Sequence, residues 1–399
     1  MMDTVAPIPD RRLLLIIPAA FLASLGIGIV NLGMLFLVKV DFGAGPALVG
    51  LFTALWAAAY LVGCVAFRPL SARIDASTSA ILMCFISTAL MVAQLSFRSL
   101  PAAFVASTVY GLSCALLWPR LMGWLAFGLE GRALSRAAGS YNLSWSAGMT
   151  LSPFLAGFFS ERGRSLGIGG ELPVIVGACL FAATGVFILV ARRIAPPPRP
   201  MPTVVGATTV GASTLAKDLS TPLRYPAWIG LLAIYVLFSI LSNIFPLYAK
   251  DELALSESSI GLLLLLRTAA MATGFWIFGR LRFWQFKPIF LPSCTAATAI
   301  LALAFLLAHT PASFALGLIL SGMLLSFVYS LSVFYGASGA LDRDKRMSVH
   351  ESVLTCGQIL GSICGGAIYQ SLSWPLVFVF SSALALLCFP AQLVLSRKR

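Results

Sequence analysis

Arg267 stands in the run GLLLLLRTAAMATGFWIFG, from Gly261 to Gly279, with no other charged residue beside it. A helix crosses a bilayer with about 20 apolar residues, so this guanidinium falls near the midplane. A charge at that depth costs at least ~2.5–3.5 kcal/mol on insertion scales. It is retained where it meets water, an acid or a bound anion. Arg267 is therefore a candidate to bind an anionic group on a solute. The plainer reading is a hydrogen-bonding role where helices meet.

Glu351, with His350 beside it, is the acid placed to enter an apolar run. Both side chains exchange protons, and both are candidates for proton coupling. The competing reading makes Glu351 a first-turn acid that complements the helix dipole. Glu351, Thr355, Gln358 and Ser362 follow one another at 4-3-4 spacing, a polar stripe along one helix face. Arg120 lies in ALLWPRLMGWL, where Ser113, Leu117, Arg120 and Trp124 share a face at the same spacing. Asn31, Asn142, Trp145, Asn243 and Tyr329 are further polar or aromatic residues inside apolar runs. Each is a candidate solute contact, set against the commoner role of an interhelical contact. No Walker loop, zinc motif or nucleophile elbow is present, so the sequence points away from an enzyme and calls for neither metal nor cofactor.

The elements that must hold these residues are membrane helices. The chain is 59% hydrophobic and only 10% charged, and its mean hydropathy is +0.95. Soluble domains carry about 25% charged residues. Twelve apolar spans are predicted, at 13–38, 47–67, 78–97, 102–127, 137–159, 173–192, 226–248, 258–279, 288–308, 312–336, 348–370 and 375–395. An even number places both termini on one side. With that side as cytoplasm, 20 of the 27 Lys and Arg fall in inside segments and five in outside ones. This bias predicts cytoplasmic termini in a plasma (inner) membrane. It also explains the net charge of +13 without nucleic acid. The eight cysteines all lie in apolar runs and read as packing residues.

A proline-rich stretch, IAPPPRPMP, separates six spans from six. The expected division is residues 1–192, a linker at 193–225, and 226–399. The halves repeat each other. Gly50, Gly63 and Phe67 meet Gly261, Gly274 and Phe278 at an offset of 211, and Gly148 and Gly157 meet Gly357 and Gly366 at 209. Such a repeat places a solute site between the halves near the midplane.

These features resemble the major facilitator superfamily over nearly the whole chain. The loop FRPLSARID stands where that family has a glycine-, aspartate- and arginine-rich motif, and Leu70 and Arg73 match it. Ala72 replaces the family aspartate. Ser107 stands where span 4 usually carries an arginine. GMTLSPFLAG, with Gly148, Pro153 and Gly157, resembles the span 5 motif associated with exporters, and GQILGSICGG repeats it with Gly357 and Gly361. The tight-packing role of small residues is the simpler account of both runs.

The resemblance implies an all-α membrane protein of twelve transmembrane helices in two pseudo-symmetric six-helix bundles. It implies a secondary active transporter for a small organic solute, monomeric, working by alternating access and coupled to an ion or proton. Export of amphipathic compounds is favoured over uptake or exchange of an organic anion. The degenerate loop after span 2 leaves room for a different class, a transporter-like receptor or scaffold that does not cycle.

Overall fold

The computed structural model describes residues 11–67, 73–126, 131–194, 221–339 and 343–397, and these form twelve helical rods. Span 1 is Arg11–Phe36, extended by a π-turn at Leu37–Asp41. Spans 2 and 3 are Pro46–Ala66 and Ala76–Phe97. Span 4 comprises Leu100–Cys114 and Trp118–Ala126, span 5 Gly131–Ser165, and span 6 Leu172–Ala191. Span 7 comprises Arg224–Ser239, a π-turn at Ile240–Ile244, and Phe245–Asp251. Spans 8 to 12 are Glu257–Arg280, Phe290–Ala304, Pro311–Ala337, Arg343–Ser371 and Trp374–Arg397. Most of the predicted linker, residues 195–220, lies outside the described residues, as does most of the loop after span 2.

Local chemistry explains where the rods begin. Asp75, Ser99, Ser256 and Thr310 each accept a hydrogen bond from the backbone N–H three residues on. Such caps satisfy donors that a helix start leaves orphaned. Proline occupies the first turn of spans 2, 4 and 10, where its missing N–H costs nothing.

Two rods depart from the single helices expected. Span 4 breaks at Ala115–Leu117, where the backbone turns through bonds between residues three apart. Pro119 has no N–H for the carbonyl of Ala115, which removes one rung of the ladder there. The carbonyl of Leu116 instead takes the hydroxyl of Ser79 in span 3, at 2.7 Å. The expected face of Ser113, Leu117, Arg120 and Trp124 is therefore divided between two helices. Span 7 widens at Ile240–Ile244, where the Phe245 N–H reaches back to the Ile240 carbonyl.

Within the first half, span 1 packs on spans 5 and 6, span 2 on span 4, and span 3 on spans 4 and 6. Within the second, span 7 packs on spans 10, 11 and 12, span 8 on span 10, and span 9 on span 12. The halves meet chiefly through span 5 on span 8 and span 2 on span 11. Glycine permits both crossings. A Cβ on Gly261 would strike the Pro153 carbonyl, and one on Gly157 would strike the Glu257 carbonyl. At the other crossing, a Cβ on Gly50 would strike the Ser362 carbonyl, and one on Gly366 the Pro46 carbonyl. Each contact maps onto its counterpart by the sequence offsets of 211 and 209.

Candidate functional site

Charged residues at the ends of spans 1, 5, 7 and 8 converge on the end of the molecule remote from the termini. Arg164 of span 5 reaches Glu257 at the start of span 8 through Nη1. Its Nη2 lies 2.6 Å from Asp41 of span 1. Lys250 of span 7 lies 3.3 Å from Glu257, and Lys39 lies 2.6 Å from Asp251. Glu161 accepts from the Ser258 hydroxyl and from its N–H at 3.4 Å. Three of these contacts, Arg164–Glu257, Lys39–Asp251 and Glu161–Ser258, join the two halves. Glu257 is only 2% exposed, so its attraction to Arg164 escapes most of the screening that weakens surface pairs. The Ser258 hydroxyl and amide hold the Glu161 carboxyl below its usual range, against the smaller opposing pull of burial.

Spans 5 and 8 part toward the other end. The Thr268 hydroxyl touches the Thr150 carbonyl at 3.4 Å. Past that level, no hydrogen bond joins these spans among the described residues. Gly139 and Gly279 have open space beside them. Spans 5 and 8 are thus clasped at one end and parted at the end where span 1 begins and span 12 ends.

Glu351 sits in span 11 on the open side. Protein surrounds it on nearly all sides, yet its side chain keeps accessible surface. Its carboxylate makes no hydrogen bond or ion pair among the described residues. Tyr60 and Cys64 of span 2, in the other half, lie within electrostatic range, as do Tyr235 and Tyr329 of its own half. His350 turns the other way. It is buried, its Nδ1 is 2.8 Å from the Ser332 hydroxyl, and its ring stands edge-on to Tyr329 at 4.7 Å. The structure therefore separates the two expected proton carriers.

Arg267 does not open to a space between the halves, as the sequence reading expected. It is 5% exposed. Nη2 donates to the Ser242 hydroxyl at 2.8 Å and Nη1 to the Phe238 carbonyl at 3.4 Å. Its guanidinium lies 4.5 Å over the Phe238 ring. The small cavity beside it, about 10 Å³, is lined by Ile234, Leu237, Phe238, Ser321 and Leu325, all of the second half. The rotation of span 8 decides this direction, and a span uniform in leucine gives no sequence signal for it. No carboxylate among the described residues pairs with Arg267.

The other expected residues fall into three groups. Asn243 belongs to a hydrogen-bonded knot. Its Nδ2 donates to Ser362 at 2.9 Å, Ser362 meets Ser239 at 2.7 Å, and Ser239 donates to the Gln358 carbonyl at 2.7 Å. This knot ties span 7 to span 11. Asn142 is exposed and Trp145 half-buried on span 5, while Arg120 and Asn31 are half-buried on spans 4 and 1. Trp118, not among the expected residues, stands edge-on to Tyr141 and Trp145 at 6.5 and 6.4 Å. Third come the packing residues. Gly148 is backed by Ser24 and Phe21 of span 1, and Gly357 and Gly361 by span 7. Pro153 lends its carbonyl to the span 8 crossing. Arg73 is exposed beside the undescribed loop. Nearby, burial alone would raise the Asp75 carboxyl, but hydrogen bonds from Ser77 and Thr78 outweigh it and hold it low.

The far-end clasp is not among the sites expected from the sequence. Its signal was the crowding of charges at the outer ends of spans 1, 5, 7 and 8, in segments otherwise poor in charge. Among the described residues no group of His, Cys, Asp and Glu is arranged to hold a metal ion.

Comparison with known proteins supplies independent evidence. The family model described as Major Facilitator Superfamily matches residues 16–340 and 227–399. No curated protein matches the sequence. The fold is similar to a bacterial homologue of the human lysosomal transporter Spinster, solved inward-facing and unoccupied, with TM-score 0.76 and 14% identity over 98% of both chains. It is similar to a POT family transporter in complex with a thioalcohol-conjugated peptide, with TM-score 0.80 and 11% identity over 97% of this chain and 96% of that one. The nucleoside transporter NupG gives TM-score 0.67 and 12% identity over 96% and 99%.

Proposed function

This chain belongs to the major facilitator superfamily, and we propose that it is a secondary active transporter that moves a small organic solute by alternating access. It is a multi-pass membrane protein. The proposed moving bodies are residues 1–192 and 226–399, joined by the linker between them. One observation carries the reading: spans 5 and 8 press together at the clasped end and part at the other. Alternating access requires two interfaces that open in turn, and the glycine crossings give the halves a pivot. The positive-inside bias supports assigning the open end to the cytoplasm, and on that assignment this conformation is inward-open.

A crevice between the halves at the open end would suit a solute with an apolar body and a polar end. Trp118, Tyr141 and Trp145 provide an aromatic wall on spans 4 and 5. Glu351, Gln358 and Tyr329 provide polar groups on spans 10 and 11. We assign proton coupling to Glu351, because its carboxylate lacks a protein partner and keeps access to the crevice. We give His350 a packing role. Uptake or exchange of an organic anion loses its main support, since Arg267 is engaged within its own half. Export of an amphipathic compound by the monomer remains the favoured direction.

Solute flux tests the reading. The protein in proteoliposomes, given an imposed pH gradient, should move compounds that stabilise it in a thermal-shift screen. Specific stabilisation by a compound with no flux in either direction would instead favour a receptor or scaffold.

A further inference from the structure

The repeat that relates the halves fails in the groove between spans 3 and 4. In the second half, Phe305 lies at the end of span 9 and is 3% exposed. Its ring presses on Gly317 of span 10, where a Cβ would lie 2.7 Å from it. It also stacks on Phe378 at 5.0 Å. The groove between spans 9 and 10 is thereby filled by the protein itself.

The offset of 211 carries these residues to the first half. The caps of spans 4 and 10, Ser99 and Thr310, obey it, as do the caps of spans 2 and 8, Gly45 and Ser256. Phe305 then corresponds to Gln94, and Gly317 to Ala106. No ring fills the space between spans 3 and 4. A cavity of about 320 Å³ opens there, lined by Gln94, Phe97, Ala102, Val105 and Ala106 among others. That volume is in the range of small-ligand sites. Phe97 and Val105 are 73% and 63% exposed on the outer surface of the bundle. In a membrane protein that surface faces acyl chains.

Gln94 is the anomaly. It is 1% exposed, it lines the cavity, and its Oε1 is buried without a hydrogen-bond partner. A buried acceptor left without its hydrogen bond carries the full cost of its desolvation. Its backbone carbonyl accepts from the Arg98 N–H, which closes span 3. Gln94 therefore lies one turn, about 5 Å, inside the helix end. At that depth a membrane amphiphile carries its polar backbone just above its chain.

We propose that the groove between spans 3 and 4 is a binding site for a membrane amphiphile with one hydrocarbon chain, whose hydroxyl donates to Gln94. The chain takes the place that Phe305 occupies in the other half. The hydroxyl satisfies the buried amide oxygen. This site lies outside the crevice between the halves and is independent of the solute carried there.

Photolabelling of the full chain in nanodiscs tests the site. The probe is a monoacylglycerol with a diazirine in its chain, compared with the same probe methylated on its hydroxyls. Label should concentrate on peptides containing Leu90–Phe97 and Pro101–Ala106, and the methylated probe should label at least fivefold less. Gln94→Phe copies the second half and should abolish this label while remaining monodisperse and thermally stable. Gln94→Leu should retain label but lose the preference for free hydroxyl. Ala102→Phe plugs the groove from span 4 and should also remove the label, which covers a Gln94→Phe variant that does not fold. Undiminished label in a folded plugged variant, or equal label by both probes in the wild type, would overturn the proposal.

Discussion

Arg164 reaches from span 5 to the carboxylate of Glu257 on span 8, and with its second nitrogen it holds Asp41 of its own half. One guanidinium thus anchors the clasp to both bodies. Removing either partner breaks this tie between the halves and leaves the other charge with a partner of its own half, Asp41 for Arg164 or Lys250 for Glu257. Arg164→Ala and Glu257→Gln should each shift the population toward an outward-open form. Electron–electron distance measurements between labels on spans 5 and 8 at the clasped end should show the longer distance. The exchanged pair, Arg164→Glu with Glu257→Arg, should recover little of the closed population, because the new carboxylate would face Asp41 and the new guanidinium Lys250.

The glycine crossings should respond alike on both sides of the repeat. Gly261→Val and Gly50→Val each drive a side chain into a backbone carbonyl, Pro153 in one case and Ser362 in the other. Both should destabilise the clasped conformation, read as raised reactivity of a cysteine placed beside the far end of span 8. Gly279→Val has open space and should leave that reactivity unchanged.

Glu351→Gln should abolish pH-gradient-driven flux and spare counterflow, because exchange moves no net proton. Equal loss in both assays would make Glu351 a binding or folding residue. His350→Gln should leave the driven-to-exchange ratio unchanged, since the ring is packed on Ser332 and Tyr329.

Arg267 holds span 7 beside its π-turn through Phe238 and Ser242. Arg267→Met should lower the thermal midpoint by several degrees while solute affinity changes less than threefold. Arg267→Lys should be intermediate, because a lysine keeps the charge but not the planar fork. A loss of affinity at unchanged stability would return Arg267 to the solute site.

Acid should loosen the clasp. The Glu161 carboxyl lies below its ordinary value of 4.5 when bonded to Ser258. A depressed carboxyl stabilises the bonded form above that value, and the contribution fades as pH falls through the bonded value. Lowering pH below 4.5 on the clasped side should raise the outward-open fraction, and Glu161→Gln should remove part of that response.

What the sequence revealed and hid divides along physical lines. Membrane spans were legible because hydropathy and length are local. The repeat was legible because Gly50, Gly261, Gly157 and Gly366 sit where backbones touch, and no larger side chain fits. The break in span 4 has its cause in Pro119, but the apolar run continues through it, and hydropathy alone predicts one continuous helix. Arg267 shows the deeper limit. Its depth followed from the span, but its direction depends on helix rotation, which a run of leucines does not specify. The far-end clasp joins residues from separate spans, and only tertiary structure sets which charges meet.

Crosslinking across the clasp tests alternating access most directly. Glu161→Cys with Ser258→Cys, on a chain whose eight native cysteines are replaced, places one thiol on each half where the side chains now touch. The account predicts that the disulfide, once formed, stops counterflow of a solute identified by thermal shift, and that reduction restores it. Undiminished counterflow through fully crosslinked protein would contradict it.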